Sequence, residues 1–131
     1  MVIDTSVLIA VATGEPSRTA LLEAMETATH RTLSTVSLLE AGMVLRARFG
    51  DSAVGLLYQL VDDLMSEVVP FDETQAKLAI AAFARFGKGM GHRAQLNFGD
   101  GAVYALAGSR GEPVLATGTD FAATDLSCYR L

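Results

Sequence analysis

Four carboxylates stand apart from the other acids of this chain. Asp4 is the only charged side chain between Met1 and Gly14, and Glu40 the only one between Thr32 and Leu45. Asp100 is the only one between Ala94 and Ser109, and Asp120 the only one between Pro113 and Thr124. Each lies in a segment whose composition suits burial, with no Lys or Arg beside it to pair with. An unpaired buried carboxylate is costly and is normally neutralised, paired or bound to a metal. Carboxylates that converge repel one another, which raises their pKa values unless a cation intervenes. An all-oxygen donor set suits a hard cation, Mg2+ or Mn2+. Zinc would want His or Cys, and the chain has only His30, His92 and Cys128. A hard cation in such a site could polarise a phosphate, generate a hydroxide-like nucleophile and steady the leaving oxygen. Taken singly, each acid also has a plainer reading. Asp4 could be a helix cap, Asp100 a cap or helix-dipole partner, Glu40 part of a capping box with Ser37, and Asp120 an Asx-turn residue near Gly118.

The elements that must position these acids alternate along the chain. Val2-Ile3-Asp4 reads as a short buried strand, after which Thr5 or Ser6 can cap a helix running to about Ala12. Pro16 is placed to open a second helix, with Leu21, Leu22 and Met25 as its apolar stripe. Arg31 to Val36 reads as a strand, and Ser37 can cap the next helix, which stops at Gly50. Asp51 caps another, with Leu56, Leu57, Leu60, Val61 and Leu64 at helical spacing. Glu67 to Pro70 is a short strand, and Asp72 caps a helix from Glu73 to Phe86, supported by Gln75. Residues 87–99 read as a polar, Gly-containing loop. A helix follows from about Asp100 to Ser109, then a buried strand from Pro113 to Ala116 and a possible last strand from Ser127 to Tyr129. Strands alternating with helices predict an α/β sandwich with a mainly parallel sheet. In such a sheet, strand carboxyl ends and helix amino ends meet on one edge, where ligands bind. The four acids all fall at such positions, which predicts that they converge.

Composition narrows the class. The chain has 131 residues, of which 50% are hydrophobic and 19% charged, so it is not a disordered chain. One cysteine excludes a disulfide scaffold and fits a reducing compartment. The length predicts one domain over residues 1–131. No uncharged apolar run approaches the roughly 20 residues of a membrane span, and Met1 to Ala12 has no basic region before it, so a soluble cytoplasmic protein is expected. The net charge of −5 is not that of a protein that coats nucleic acid electrostatically. Contact with a polyanion must come from a local patch. One stretch offers it, because Thr74 to Gly99 contains no acid but carries Lys77, Arg85, Lys88, His92 and Arg93. Lys88 and Arg93 could contact phosphates, and Gly87, Gly89 and Gly91 allow close backbone approach. The alternative is a solvated, mobile surface loop. His92 is a candidate RNA contact or base, although a loop histidine is more usually a plain surface residue. An apolar helix pair with Met43, Val44, Leu57 and Leu60 could form an interface or simply be core.

Four runs in this order resemble the motifs of PIN domains: Met1-Val2-Ile3-Asp4-Thr5-Ser6, Ser34-Thr35-Val36-Ser37-Leu38-Leu39-Glu40-Ala41, Leu96-Asn97-Phe98-Gly99-Asp100 and Thr117-Gly118-Thr119-Asp120-Phe121. The resemblance covers the whole chain and is best to the VapC-type toxin ribonucleases of bacterial toxin–antitoxin pairs. It implies a PIN-like α/β/α sandwich with a short, mainly parallel sheet flanked by helices. It also implies a metal-dependent endoribonuclease acting on RNA such as tRNA or rRNA through an activated water. Asp4 and Asp100 would be the principal Mg2+ (or Mn2+) ligands, Glu40 and Asp120 would complete the cluster directly or through water, and Ser6 would hydrogen-bond within it. Asp125 lies close enough in sequence to compete with Asp120 for the fourth place. The resemblance further implies a homodimer and a cognate VapB-type antitoxin that blocks the site, and allows a larger toxin–antitoxin assembly. Gly101 departs from relatives that carry a larger residue there, commonly cysteine, and the loop from Lys88 to Leu96 is longer than in compact relatives. Two other functions compete. A haloacid-dehalogenase-like phosphatase would use Asp4 as nucleophile, but it usually has a second aspartate where Ser6 stands. A non-catalytic PIN-like interaction module would have less need of all four acids.

Overall fold

The computed structural model describes all 131 residues. The elements are β1 (Val2–Ile3), α1 (Thr5–Thr13), α2 (Arg18–Thr27), β2 (Thr32–Ser34), α3 (Thr35–Phe49), α4 (Asp51–Asp63), β3 (Glu67–Val69), α5 (Glu73–Phe86), α6 (Phe98–Arg110) and β4 (Val114–Leu115), followed by a single 3-10 turn at Phe121–Ala123. The four strands form one parallel sheet in the order β3-β2-β1-β4. From β1 the chain builds outward to β2 and β3 on one side and returns to add β4 on the other. The order therefore reverses between β1 and β4, the kind of switch point where parallel sheets leave a crevice at their carboxyl edge.

Strands of two or three residues hold because both faces are covered. Successive side chains point to opposite faces, and the cores follow that alternation. Ile3 and Leu115 enter the core shared with α1, α2, α3 and α4, while Val2 and Val114 enter the one built by α5 and α6. All four are 0% exposed. No helix is long and apolar enough to cross a membrane. The stripe on α3 and α4 divides: Leu57 is core and Leu60 packs against it, whereas Met43 is exposed.

Several boundaries differ from the sequence expectation, each by a choice among neighbouring polar residues. Asp4, not Thr5 or Ser6, caps α1. Ser34 caps α3 by accepting from Val36 N–H, so β2 is shorter, α3 starts at Thr35 and Glu40 falls in its second turn. Ser37 is instead buried inside the helix with its hydroxyl unpaired, and no capping box forms with Glu40. Pro16 stands outside α2, whose N-cap is Ser17. Asp72 caps α5 as expected, but the Gln75 side chain turns to the Pro70 carbonyl. The expected last strand is a single bridge between Cys128 and Val114.

The stretch between α5 and α6 is not the solvated loop that its polarity suggests. Ala94 and Leu96 are buried in the α5–α6 core. Leu96 N–H donates to the Phe86 carbonyl at 2.9 Å and Lys88 N–H to the Leu96 carbonyl at 2.9 Å, closing the segment into a pinned flap. Its apolar residues alternate with polar ones, which hides them from a composition reading. The flap delivers Asn97 to the start of α6.

Candidate active site

The switch point gathers the acids. Asp4 follows β1 directly, its N–H donating to the Leu115 carbonyl at 3.0 Å, and it is buried. As N-cap of α1 it accepts from Ser6 N–H at 3.0 Å and from the Ser6 hydroxyl, both at Oδ2. Ser6 Oγ in turn accepts from Thr117 N–H at 3.1 Å, which ties α1 to the segment after β4. Glu40 reaches across from α3 and its Oε2 accepts from the Thr5 hydroxyl at 2.7 Å. Gly99 lies so close to this carboxylate that a Cβ there would overlap it. Asp100 is the third residue of α6, in a reciprocal cap: Asn97 Oδ1 accepts from Asp100 N–H at 3.0 Å and Asp100 Oδ2 accepts from Asn97 N–H at 2.8 Å.

Burial pushes the Asp100 carboxyl up to about 6 against the lowering pull of the Asn97 bond, and the charges of Asp4, Asp120 and Glu40 push the same way. The carboxyl of Asp4 is raised first by burial and also by Glu40, although both bonds from Ser6 favour its charged form. The four acids expected to converge therefore share one electrostatic site. Burial is graded rather than uniform: Asp4 is buried, Glu40 and Asp100 are half-buried and Asp120 is exposed. Asp120 sits on the turn after β4, where it needs no apolar cover.

The opposite edge of the sheet is organised differently. There Glu67 is held at about 2, chiefly by the Arg110 guanidinium that grips it at 2.7 and 2.8 Å. Glu112 is paired with the Met1 amine at 2.7 Å. At the carboxyl edge no Lys, Arg or His forms an ion pair with Asp4, Glu40, Asp100 or Asp120. Asp125 is not part of this unpaired set. It accepts from the Tyr104 hydroxyl at 2.7 Å and from Arg85 at 3.1 Å, and these bonds hold its carboxyl below the usual range.

The donor chemistry fits a hard divalent cation: four carboxylates and the Ser6 and Thr5 hydroxyls, all oxygen, with excess negative charge. As the side chains stand, no three acids are close enough together to hold one ion. Asp4 and Glu40 each accept from a hydroxyl and Asp100 from a backbone N–H.

Of the residues expected to meet RNA, Lys88 and Arg93 are exposed on the flap. His92 is structural as placed: its Nδ1 accepts from Ala94 N–H at 3.1 Å and its ring meets the Phe86 ring edge-on at 5.0 Å. Sequence reading missed Thr5 as the partner of Glu40, because the contact is long-range. Asn97 carried a local signal, an Asn three residues before an Asp at a helix start.

The PIN domain model matches residues 1–126 of the chain. The chain belongs to the PIN-domain family. Ribonuclease VapC28 of Mycobacterium tuberculosis is 44% identical over 124 residues, which is 95% of this chain and 93% of that protein. Among solved structures, Mycobacterium tuberculosis VapC20, a sarcin-ricin loop cleaving toxin, superposes with a TM-score of 0.82 at 18% identity and covers 99% of this chain and 98% of its own. A toxin–antitoxin complex from Klebsiella pneumoniae gives a TM-score of 0.73 at 16% identity, over 99% and 98% of the two chains. This PIN domain has Asp4, Glu40, Asp100 and Asp120 around the carboxyl edge of its parallel sheet.

Proposed function

We propose that this PIN domain, one domain over residues 1–131, is a metal-dependent endoribonuclease toxin that hydrolyses phosphodiester bonds in structured RNA, either tRNA or rRNA. The observation that carries the reading is that Asp4, Glu40, Asp100 and Asp120 stand at one edge of the sheet with no cationic side chain paired to any of them. The ribonuclease name of a relative 44% identical over most of both chains supports it.

Asp4 and Asp100 are assigned as the principal ligands of Mg2+ or Mn2+, with Glu40 and Asp120 completing the cluster. A hard cation held there would supply Lewis-acid chemistry for the phosphate and for the attacking water. The remaining work falls to the chain. Ser6 fixes Asp4 Oδ2 through two bonds and keeps that carboxylate facing the crevice between β1 and β4. Thr5 holds Glu40 Oε2, and Asn97 N–H holds Asp100 Oδ2. The buried floor keeps water away from one side of the acids and strengthens their interaction with a bound cation. Lys88 and Arg93 on the flap contact flanking phosphates and His92 keeps the flap in shape. The engagement of Asp125 by Tyr104 and Arg85 favours Asp120 as the fourth acid. Likeness to a solved toxin–antitoxin complex supports a cognate VapB-type antitoxin as partner; a second copy of the chain and a cytoplasmic location belong to the same proposal.

The test is incubation of purified protein with total bacterial RNA in Mg2+ or Mn2+ and in EDTA, beside Asp100→Asn, with mapping of new RNA ends. Discrete ends that require both the metal and Asp100 are expected. Ends that persist in EDTA or with Asp100→Asn would refute the assignment.

A further inference from the structure

A cavity of about 440 Å³ lies beside β4, and the acid site described above makes no use of it. Three segments wall it: Val114 of β4 with Ala116 just past it, the turn at 118–122, and the tail at 126–130. The register of the tail sets its place. Cys128 bridges Val114 in parallel, with Val114 N–H donating to the Ser127 carbonyl at 2.9 Å and Tyr129 N–H to the Val114 carbonyl at 2.8 Å. The parallel direction carries the tail toward the carboxyl edge of the sheet, and there Arg130 lines the cavity together with Ala116. Thr119 and Phe121, the neighbours of Asp120 on either side, line it too, so the turn that carries the fourth acid forms one wall. The lining has two characters. Val114 and Phe121 are buried members of the α5–α6 core and give an apolar floor. Thr119, Ser127 and Arg130 add polar groups. Arg130 is exposed and pairs with no acid. Arg46, Arg85 and Arg110, in contrast, are each paired, and Arg31 is spent on three backbone carbonyls.

A net charge of −5 and an unpaired acid cluster repel a phosphate backbone, so RNA that reaches Asp100 needs cations set around the cluster. Lys88 and Arg93 offer them on the flap, and Arg130 offers one beside the turn of Asp120. The cavity's size falls within the roughly 300–1,000 Å³ of small-ligand sites, and an apolar floor with a few polar groups is their usual lining. We infer that this cavity is a nucleotide subsite: it seats one nucleotide flanking the scissile phosphate over Val114 and Phe121, with Arg130 on that nucleotide's phosphate. The inference rests on the ribonuclease reading above. None of the lining residues belongs to the exposed apolar face of Leu39, Met43, Ile80, Phe83 and Phe98, so a second copy seated on that face competes for none of them. A partner helix would need a long apolar groove. A cavity walled by three segments and carrying one cation suits a single phosphorylated unit instead.

The experiment uses the full chain and a synthetic RNA fragment spanning the mapped cleavage site, with Arg130→Ala, Arg130→Gln and Arg130→Lys. Because Arg130 is exposed and unpaired, all three should melt with the wild type. Arg130→Ala and Arg130→Gln should raise KM roughly tenfold at little change in kcat. Arg130→Lys should recover most of that loss, since a lysine still serves a phosphate. In the Asp100→Asn background, chosen to leave the RNA uncut, Arg130→Ala should reduce the slope of log affinity against log salt by about 0.7, the share of one phosphate on a single strand. Cys128 is the only cysteine and lines the cavity, so its alkylation by N-ethylmaleimide reports occupancy. The RNA fragment should slow that alkylation several-fold, and less so with Arg130→Ala. Arg130→Gln as active as Arg130→Lys, or Cys128 labelled equally fast with and without RNA, would overturn the subsite alone, since the wild type still cuts. Protection of Cys128 by the antitoxin but not by RNA would give the cavity to a protein partner and overturn it as well. A wild type that neither cuts nor binds RNA would overturn the ribonuclease reading and this inference together.

Discussion

Replacing Asp100 by Asn removes one charge from the crowded edge while keeping an oxygen that can accept from Asn97 N–H. The folded carboxyl sits at about 6 against 3.8 for an unperturbed aspartate. Because its pKa is raised, the folded state binds more protons than the unfolded state across that window, so its contribution to stability falls as pH rises. The penalty is nearly absent below about pH 4 and fully developed above about pH 7. A shift of this size on a fully buried group would amount to about 3 kcal/mol. Asp100 is half-buried, and solvent screening brings the figure to about 1 kcal/mol. With 131 residues and an unfolding entropy of about 2.1 cal/mol/K per residue, that is about 4 °C in Tm. The assay is thermal unfolding by circular dichroism in EDTA. Asp100→Asn should melt about 4 °C above the wild type near pH 8 and close to it near pH 4. Adding Mg2+ or Mn2+ at neutral pH should raise the wild type and leave the variant nearly unmoved, because ligand binding stabilises only the state that binds. An equal separation of the two melting curves at both pH values in EDTA would refute the crowding argument. A variant less stable than wild type near pH 8 would do so more strongly.

Other substitutions probe the neighbours. Gly99→Ala places a methyl against the Glu40 carboxylate and should drive it off Thr5. Losing a charge-assisted hydrogen bond predicts roughly a ten- to hundredfold fall in kcat/KM, with the fold intact by circular dichroism. Gly101→Ala meets only the Ala79 Cβ at 3.5 Å, an ordinary contact. It should stabilise the helix by about 0.5–1 kcal/mol, seen as a higher Tm at unchanged cleavage. Asp120→Asn should lower cleavage. Asp125→Asn should leave cleavage and lower Tm, because it frees Tyr104 and Arg85, and the Tyr104 hydroxyl, which burial and Asp125 now push up to about 12, should titrate lower in an absorbance titration.

The alternation of strands and helices was legible because apolar runs and caps are local signals, and so was the isolation of four charges in uncharged segments. What escaped the sequence depends on which of several equivalent residues wins. Ser34 and Ser37 both precede apolar turns, and the backbone chose Ser34, which moved Glu40 from the first turn to the second. Thr5 resembled a cap, but Asp4 took that role and released the Thr5 hydroxyl to hold Glu40, 35 positions away. Asp120 and Asp125 could not be ranked, because the ranking depends on Tyr104 and Arg85, which meet Asp125 only after α5 and α6 have packed. The flap at 87–97 reads as a solvated loop because Ala94 and Leu96, which the fold buries, are too few and too spaced to read as core.

The two edges of the sheet give the strongest physical argument for a working site. At the amino edge the fold supplies Arg110 and the Met1 amine to its acids, so it can place cations where acids need them. At the carboxyl edge it supplies only hydroxyls and backbone N–H groups to Asp4, Glu40 and Asp100. Those donors fix the orientation of a carboxylate without cancelling its charge. Relief of the repulsion therefore has to come from outside the chain, as a proton or as a cation. Asp4 and Asp100, whose carboxyls burial raises, carry that repulsion at the point where the sheet order reverses. Side chains that orient these carboxylates without neutralising them are the feature on which the proposed hard-cation site rests.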